Sequence, residues 1–225
     1  MTTTSTRTVR CCCCQQVSKQ TYLTSFTTGE GVDLDGRPHG LFRATMPYWC
    51  QVCPGCGYAA AGLDCQVGDV KFVHTQEYQS VRADADYPPL ANCFRLSAML
   101  NERAGAVYAL QAATDWQAAA WVCDDAQLQR LATACRVGAA AQYQRCVGDP
   151  DAGDLTLNTA VMASRWLDTV RRAGLFTEAR RIASVYRELL SRHGPTKAVM
   201  EFEMKLIDAG DVSRHTLAKV LAAQE

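Results

Sequence analysis

The sequence predicts an α+β chain: a small N-terminal unit of β character held by cysteines, then a larger domain of antiparallel α-helices. Three observations predict it. Seven of the twelve cysteines fall in the first 60 residues, at positions 11–14, 50, 53 and 56. Composition turns over at the same place, from Thr-, Gly- and aromatic-rich before residue 60 to Ala-, Leu- and Arg-rich after residue 66. Beyond that point apolar residues recur at helical spacing in one segment after another. The expected division is therefore residues 1–66 and residues 67–225.

In the first unit, Gln20–Phe26 and Gly40–Trp49 read as short β-type runs, and Cys50 alternates with Val52 as a strand residue would. The second unit reads as helix after helix. Cys93–Glu102 places Phe94, Leu96, Met99 and Leu100 on a broad apolar face. Ala104–Cys123, nearly all Ala, Leu, Val, Trp and Gln, reads as a buried helix or a tight pair. Asp124 and Asp125 are expected to open the next helix, where carboxylates suit the positive end of the dipole. That helix, Gln127–Cys146, carries Leu128, Leu131, Cys135, Val137 and Tyr143.

A turn cluster at 149–153 leads into Asp154–Arg172, with Leu157, Val161, Met162, Trp166, Leu167 and Val170 inward. Gly174 ends it, and a helix from Thr177 runs to Gly194-Pro195 with Ile182, Val185, Tyr186, Leu189 and Leu190 as its inner face. Two shorter helices, about 196–208 and 211–223, finish the chain. Short connections make consecutive helices antiparallel hairpins. The pair from Trp166 to His193 has the small-residue packing of a tetratricopeptide (TPR) unit, but no clean 34-residue repeat is legible, so the domain is TPR-like.

Composition limits what the chain can do. At 225 residues it is long enough to bury roughly 70 % of its unfolded surface. Its 23 basic and 23 acidic residues cancel, which argues against a dedicated nucleic-acid or membrane-surface binder. No apolar run approaches the ~18 residues of a membrane span, and the start (MTTTSTRTVR) has no apolar core of an export signal. A cytoplasmic location is therefore expected, where paired CxxC units indicate metal or redox chemistry more often than disulfides.

Two such units are present, Cys11/Cys14 and Cys53/Cys56, the second in the form CPGCG. Two thiolates three residues apart can grip one tetrahedral ion while N–H groups of the tight turn point at the sulfurs. The small Gly55 and Gly57 let the backbone adopt that turn. Paired knuckles, each at the edge of a β-type run, read as a zinc ribbon. The gap between them exceeds that of compact zinc motifs, so the intervening segment is expected to form a hairpin with an inserted loop. Four sulfur ligands leave no open coordination position, which makes Zn²⁺ structural rather than catalytic. Cys12, Cys13 and Cys50 remain alternative donors by register. Cys65, Cys93, Cys123, Cys135 and Cys146 read as small buried hydrophobes.

The order VDLDGRP, RATM, WCQVCPGCGYA, then AAAWVCDD and RRAGLFTEA resembles a bacterial family of uncharacterised zinc-ribbon proteins over most of the chain. That resemblance implies a zinc ribbon fused to a helical repeat domain, without an established activity, and places the metal on Cys11, Cys14, Cys53 and Cys56. The chain departs from the family's usual CPxCG at its first knuckle, which reads Cys-Cys-Cys-Cys-Gln.

For function, the leading expectation is a non-enzymatic adaptor or scaffold whose stacked helices offer a surface to a protein partner. No Walker loop, GxSxG, HExxH or GxGxxG occurs in the sequence. The alternative is nucleic-acid binding through the ribbon and residues 165–192, where Arg165, Arg171, Arg172, Arg180, Arg181, Arg187 and Arg192 face only Asp168, Glu178 and Glu188. A solvated face with i,i+4 ion pairs explains the same run. A third expectation is an enzyme with a site at the DLDGRPH loop (Asp33, Asp35, Arg37, His39), although Asp-Gly with a nearby Pro is also an ordinary turn. His74 and His215 are expected within helices and His193 at a helix end, none at ligand spacing from a cysteine; Trp116, Trp121 and Trp166 are expected in the core.

Overall fold

The computed structural model describes residues 2–148 and 156–222, so the turn expected at 149–153 and the outer ends of two expected helices lie outside it. Thr3–Arg10 (β1) and Val17–Ser25 (β2) pair antiparallel, with Arg10 opposite Val17 at the closed end. Their Thr-rich sequences suit an open, pleated ribbon, and Val9 is the residue of β1 that reaches the core. A second, minimal hairpin joins Gln51–Val52 (β3) to Ala59–Ala60 (β4).

Between the hairpins the expected strand over Gly40–Trp49 is not formed. Gly40–Arg43 (α1) is one helical turn and Met46–Tyr48 a 3₁₀ turn with Pro47 at its start, where a missing N–H costs nothing. Nor does this intervening segment make its own hairpin, because β2 is already paired to β1 upstream.

The rest is helical: Gln76–Arg82 (α2), Pro89–Arg103 (α3), Ala109–Asp125 (α4), Gln129–Val147 (α5), Leu157–Arg172 (α6), Phe176–Val185 (α7), Arg187–Ser191 (α8), Gly194–Asp208 (α9) and Leu217–Ala222 (α10). The α3, α4, α5 and α6 helices pack in succession, and α6 also meets α7, α8 and α9. The architecture is thus small two-stranded antiparallel sheets followed by helices, as the sequence predicts at that level.

Several details differ. Asp124 and Asp125 end α4 rather than opening α5, against the helix dipole; four arginine contacts offset this, as described below. The helix expected from Thr177 to Gly194 breaks at Tyr186, whose backbone leaves helical values (φ −98°, ψ 13°). Gly194-Pro195 does not stop a helix but begins α9, Pro being tolerated in the first turn. Residues 211–216 lie outside any helix, so His215 sits in that strap, and His193 occupies the N-cap position of α9 without a side-chain capping bond.

One apolar cluster runs from the cysteine hairpins into the helices, joining Cys11, Cys53 and Tyr58 to Phe72, Tyr78, Phe94, Leu100 and Trp121. A second, around Trp166, Leu167, Ile182, Leu189 and Ile207, holds α5–α9 together. Trp121 and Trp166 are core residues, and Trp116 is partly buried against both clusters.

The DLDGRPH loop is fixed on three sides. Its Asp33 carbonyl accepts from the Gly36 N–H (2.9 Å) and its Asp33 N–H donates to the Arg37 carbonyl (2.9 Å). The Leu34 N–H donates to the His215 carbonyl, and Leu34 packs on Ala198, Val199 and Val220. Burial of one such leucine stabilises by about 1.5–3 kcal/mol. Thus the loop ties the cysteine-bearing region to the end of the chain.

Candidate metal centre

Both CxxC units are hairpin loops, and their backbones repeat one pattern. In the first, which joins β1 to β2, the Cys11 N–H donates to the Gln16 carbonyl and the Gln15 N–H to the Cys11 carbonyl, each at 2.9 Å. In the second, between β3 and β4, the Cys53 N–H donates to the Tyr58 carbonyl and the Gly57 N–H to the Cys53 carbonyl, again at 2.9 Å. The residue after the second cysteine of each pair is left-handed, φ 64° at Gln15 and 83° at Gly57. Gln15 therefore fills the place glycine takes in the second knuckle, so the two loops match in backbone when Cys11 and Cys14 are aligned with Cys53 and Cys56.

The two loops face each other. Sulfur to sulfur, Cys11 and Cys56 are 3.8 Å apart and Cys14 and Cys53 3.5 Å, and all four ligand atoms lie within 4.8 Å of one another. Four sulfurs about 2.3 Å from one tetrahedral ion would be separated by about 3.8 Å. A disulfide would need about 2.05 Å, and all twelve cysteines are free. The cluster has the dimensions of a four-sulfur metal site.

Its electrostatics point the same way. Burial pushes the Cys11 thiol up to about 11 and also raises Cys56, although the Tyr58 N–H reaches the Cys56 sulfur at 3.5 Å. At the exposed Cys14, burial is the largest single influence and raises the thiol, but the Gln16 N–H and the sulfurs of Cys53, Cys56 and Cys11 together outweigh it and bring it down to about 7. Thiols this close and this buried ionise together only around a cation, and metal uptake must release their protons.

The helical region supports the second knuckle. Arg82 of α2 donates to the carbonyls of Pro54 (3.0 Å) and Gly55 (3.2 Å), and Gln79 donates to that of Cys56 (3.0 Å). Outer groups of this kind orient ligands and commonly govern metal affinity. Nothing in the spacing of Arg82 or Gln79 announces this role.

Of the alternative donors, Cys12 and Cys50 turn to other partners, while Cys13 stays beside the cluster, its thiol interacting with the Cys56 sulfur. Cys12 reaches the Cys65 carbonyl (3.6 Å), Cys13 the Val70 carbonyl (3.7 Å), and Cys50 the Cys93 carbonyl (3.5 Å). His74, in the 3₁₀ turn Val70–His74, brings its Nε2 to 3.6 Å from the Cys13 sulfur, a proximity that their separation of 61 residues does not announce. Cys93, Cys123 and Cys135 are buried as expected, whereas Cys65 is exposed and Cys146 only partly covered.

The remaining candidates resolve into ion pairs. Asp35 is buried, and its carboxylate accepts from the Arg37 N–H (3.0 Å), Gln117 (3.0 Å), Trp121 (2.9 Å) and Arg172. Burial alone would raise its pKa, but Arg172 and these donors hold it below the usual carboxylate range. Arg37 and Arg43 pair with Asp125, Arg136 and Arg172 with Asp124, and His39 with Asp33 (2.6 Å).

In the arginine-rich run, Arg171 is wholly buried between Asp168 and Glu203, while Arg180, Arg181 and Arg192 pair with Asp208, Glu178 and Glu188. Five of its seven arginines are thus committed to carboxylates of the chain, and two of those five are buried rather than on a solvated face. No helix among the described residues is long and apolar enough to cross a membrane. Comparison with family models, curated proteins and solved structures finds no match, so the zinc-ribbon resemblance rests on the chain's own motifs.

Proposed function

We propose that the chain is a zinc-binding, non-enzymatic scaffold in which Cys11, Cys14, Cys53 and Cys56 hold one structural Zn²⁺ and a TPR-like helical surface engages a protein partner. The observation that carries this reading is the four-sulfur cluster, built from two hairpin loops of the same backbone pattern. Four soft donors at tetrahedral spacing suit zinc, with iron the chemical competitor. With every donor a protein sulfur, such an ion has no position for a substrate and acts by tying β1–β2 to β3–β4.

That tie reaches the helices, because Cys11 and Cys53 belong to the same apolar cluster as α3 and α4. Metal binding of about 10–16 kcal/mol in such sites would then set the shape of the region that borders the helical surface. The commitment of five of the seven arginines of residues 165–192 to internal ion pairs favours a protein over a nucleic acid as the occupant of that surface.

The test has two arms. Replacing zinc with Co²⁺ should give the visible spectrum of a tetrahedral four-thiolate site, and Cys53→Ser should abolish it. The tagged chain, purified from its native host, should retain a protein partner that Cys53→Ser loses. A cobalt spectrum without sulfur coordination would contradict the metal assignment. Recovery of nucleic acid instead of protein, with affinity falling steeply with salt, would contradict the partner assignment.

A further inference from the structure

Away from the cysteines, a cavity of about 330 Å³ opens between the N-terminal region and the helices. One side is an aromatic row: Phe26 stacks on Phe42 with ring centroids 4.7 Å apart, and Phe42 lies 5.1 Å from Trp49. Phe26 is 49 % exposed, although Phe42 stacks on one of its faces. The helices supply Trp121, Tyr143 and Arg165. The volume is at the small end of those that hold compact ligands.

The polar groups of the wall divide into two sets. Asp35, Gln117, Trp49, Trp121 and Thr114 are satisfied inside the protein: Asp35 by Arg172 and its other donors, Gln117 by Asp35 and Thr169, Trp49 by Thr45, Trp121 by Asp35, and Thr114 by the Leu110 carbonyl. Arg165 and Tyr143 are not. Among the described residues the Arg165 guanidinium has neither a carboxylate nor a hydrogen-bond partner, and the Tyr143 hydroxyl has none either. Both line the cavity, and Tyr143 is otherwise buried.

Burial raises the Tyr143 phenol against the pull of Arg165, so at neutral pH it is an intact O–H donor. Gly36 makes room for the guanidinium: a Cβ there would lie 2.8 Å from the Arg165 Nε, and its φ of +84° also favours glycine. A fixed cation and a neutral donor, both unused, therefore stand at the edge of an aromatic slot.

We propose that this cavity binds a small planar aromatic carboxylate, its ring held between the Phe42–Trp49 row and Trp121, its carboxylate taken by Arg165 and Tyr143. The planar guanidinium fork matches a carboxylate in two parallel hydrogen bonds, and the aromatic faces favour a flat ring over an aliphatic chain. Asp35 does not repel the ligand, since its charge is already balanced by Arg172.

The experiment titrates the full, metal-loaded chain with 1-naphthoate and with its neutral analogue 1-naphthamide, read by tryptophan fluorescence and calorimetry. The acid should bind saturably at one site and at least tenfold more tightly than the amide. Arg165→Gln should bring the two within about twofold, and Tyr143→Phe should weaken the acid alone; because neither side chain has an internal partner, both variants should unfold at the wild-type temperature. Thr114→Phe, which fills the slot, should abolish both ligands. No saturable binding at millimolar acid, equal affinity for acid and amide in the wild type, or an acid preference that survives Arg165→Gln would each overturn the proposal.

Discussion

Replacing Gly57 by alanine should damage the second knuckle by an amount that can be assembled from its geometry. Residue 57 has φ +83°, and a left-handed backbone costs an L-residue roughly 1–2 kcal/mol. A Cβ there would also come within 2.6 Å of Arg82 Cδ, so Arg82 must move. It would then release the Pro54 and Gly55 carbonyls, at about 1–2 kcal/mol more. Gly57→Ala should therefore cost about 2–4 kcal/mol in urea unfolding of the metal-loaded chain. Gly174, at φ +76° with nothing within 4 Å of its would-be Cβ, isolates the backbone component, and Gly174→Ala should cost only about 1–2 kcal/mol. In an Arg82→Ala background the Gly57→Ala cost should fall to that of Gly174→Ala, a less-than-additive cycle. Equal costs for the two alanines in the wild-type background, or full additivity with Arg82→Ala, would refute the assignment of Arg82 as the clamp on this loop.

Other outcomes follow from the buried charges. Asp115 accepts from Ser97 (2.6 Å), Asn101 (3.0 Å) and Gln111 (2.9 Å) but pairs with no cation among the described residues, and burial lifts it from 3.8 to about 6. The native state thus binds this proton more tightly than the unfolded chain, so stability falls as pH rises from about 4 to about 6, by about 3 kcal/mol, and stays lower above. Asp115→Asn should remove that fall; thermal melts at pH 4 and pH 8 check it, and an unchanged difference between them would contradict the site's protonation. Asp35 has the opposite sign, its depressed pKa making a stabilisation that is present near neutrality and lost as pH falls below about 4. Arg172→Met strands Asp35 without a cation, leaves Asp124 only Arg136, and should cost about 3–5 kcal/mol at pH 7, with Asp35→Asn in the same chain recovering part of it; urea midpoints of the single and double variants measure this.

The architecture was legible where local chemistry and tertiary demand agree. Helical periodicity marked α3 and α6, and the CPGCG motif marked a knuckle, because Gly57 must be left-handed there. The first knuckle was obscure for a physical reason: four consecutive cysteines carry no register, and Gln15 adopts glycine's conformation without glycine's signature. Asp124 and Asp125 misled because a carboxylate pair is a helix-start signal only when no buried arginines call for it at the other end. Gly40–Trp49 has the β-branched and aromatic look of a strand, yet Phe42 and Trp49 face the helical region from turns instead. Likewise the arginine-rich segment suggested a charged face, while Arg171 and Arg172 are internal struts whose partners Glu203, Asp35 and Asp124 are remote in sequence. Arg82, Gln79 and His74 entered the picture only through long-range packing.

Elemental analysis of the purified, full-length chain, paired with a melt before and after chelation, probes the four-sulfur centre most directly. One zinc per chain is expected, bound with release of protons from Cys11 and Cys56 and lost, together with much of the thermal stability, on chelation. A chain that carries no metal yet melts at the same temperature with or without chelator would contradict the account.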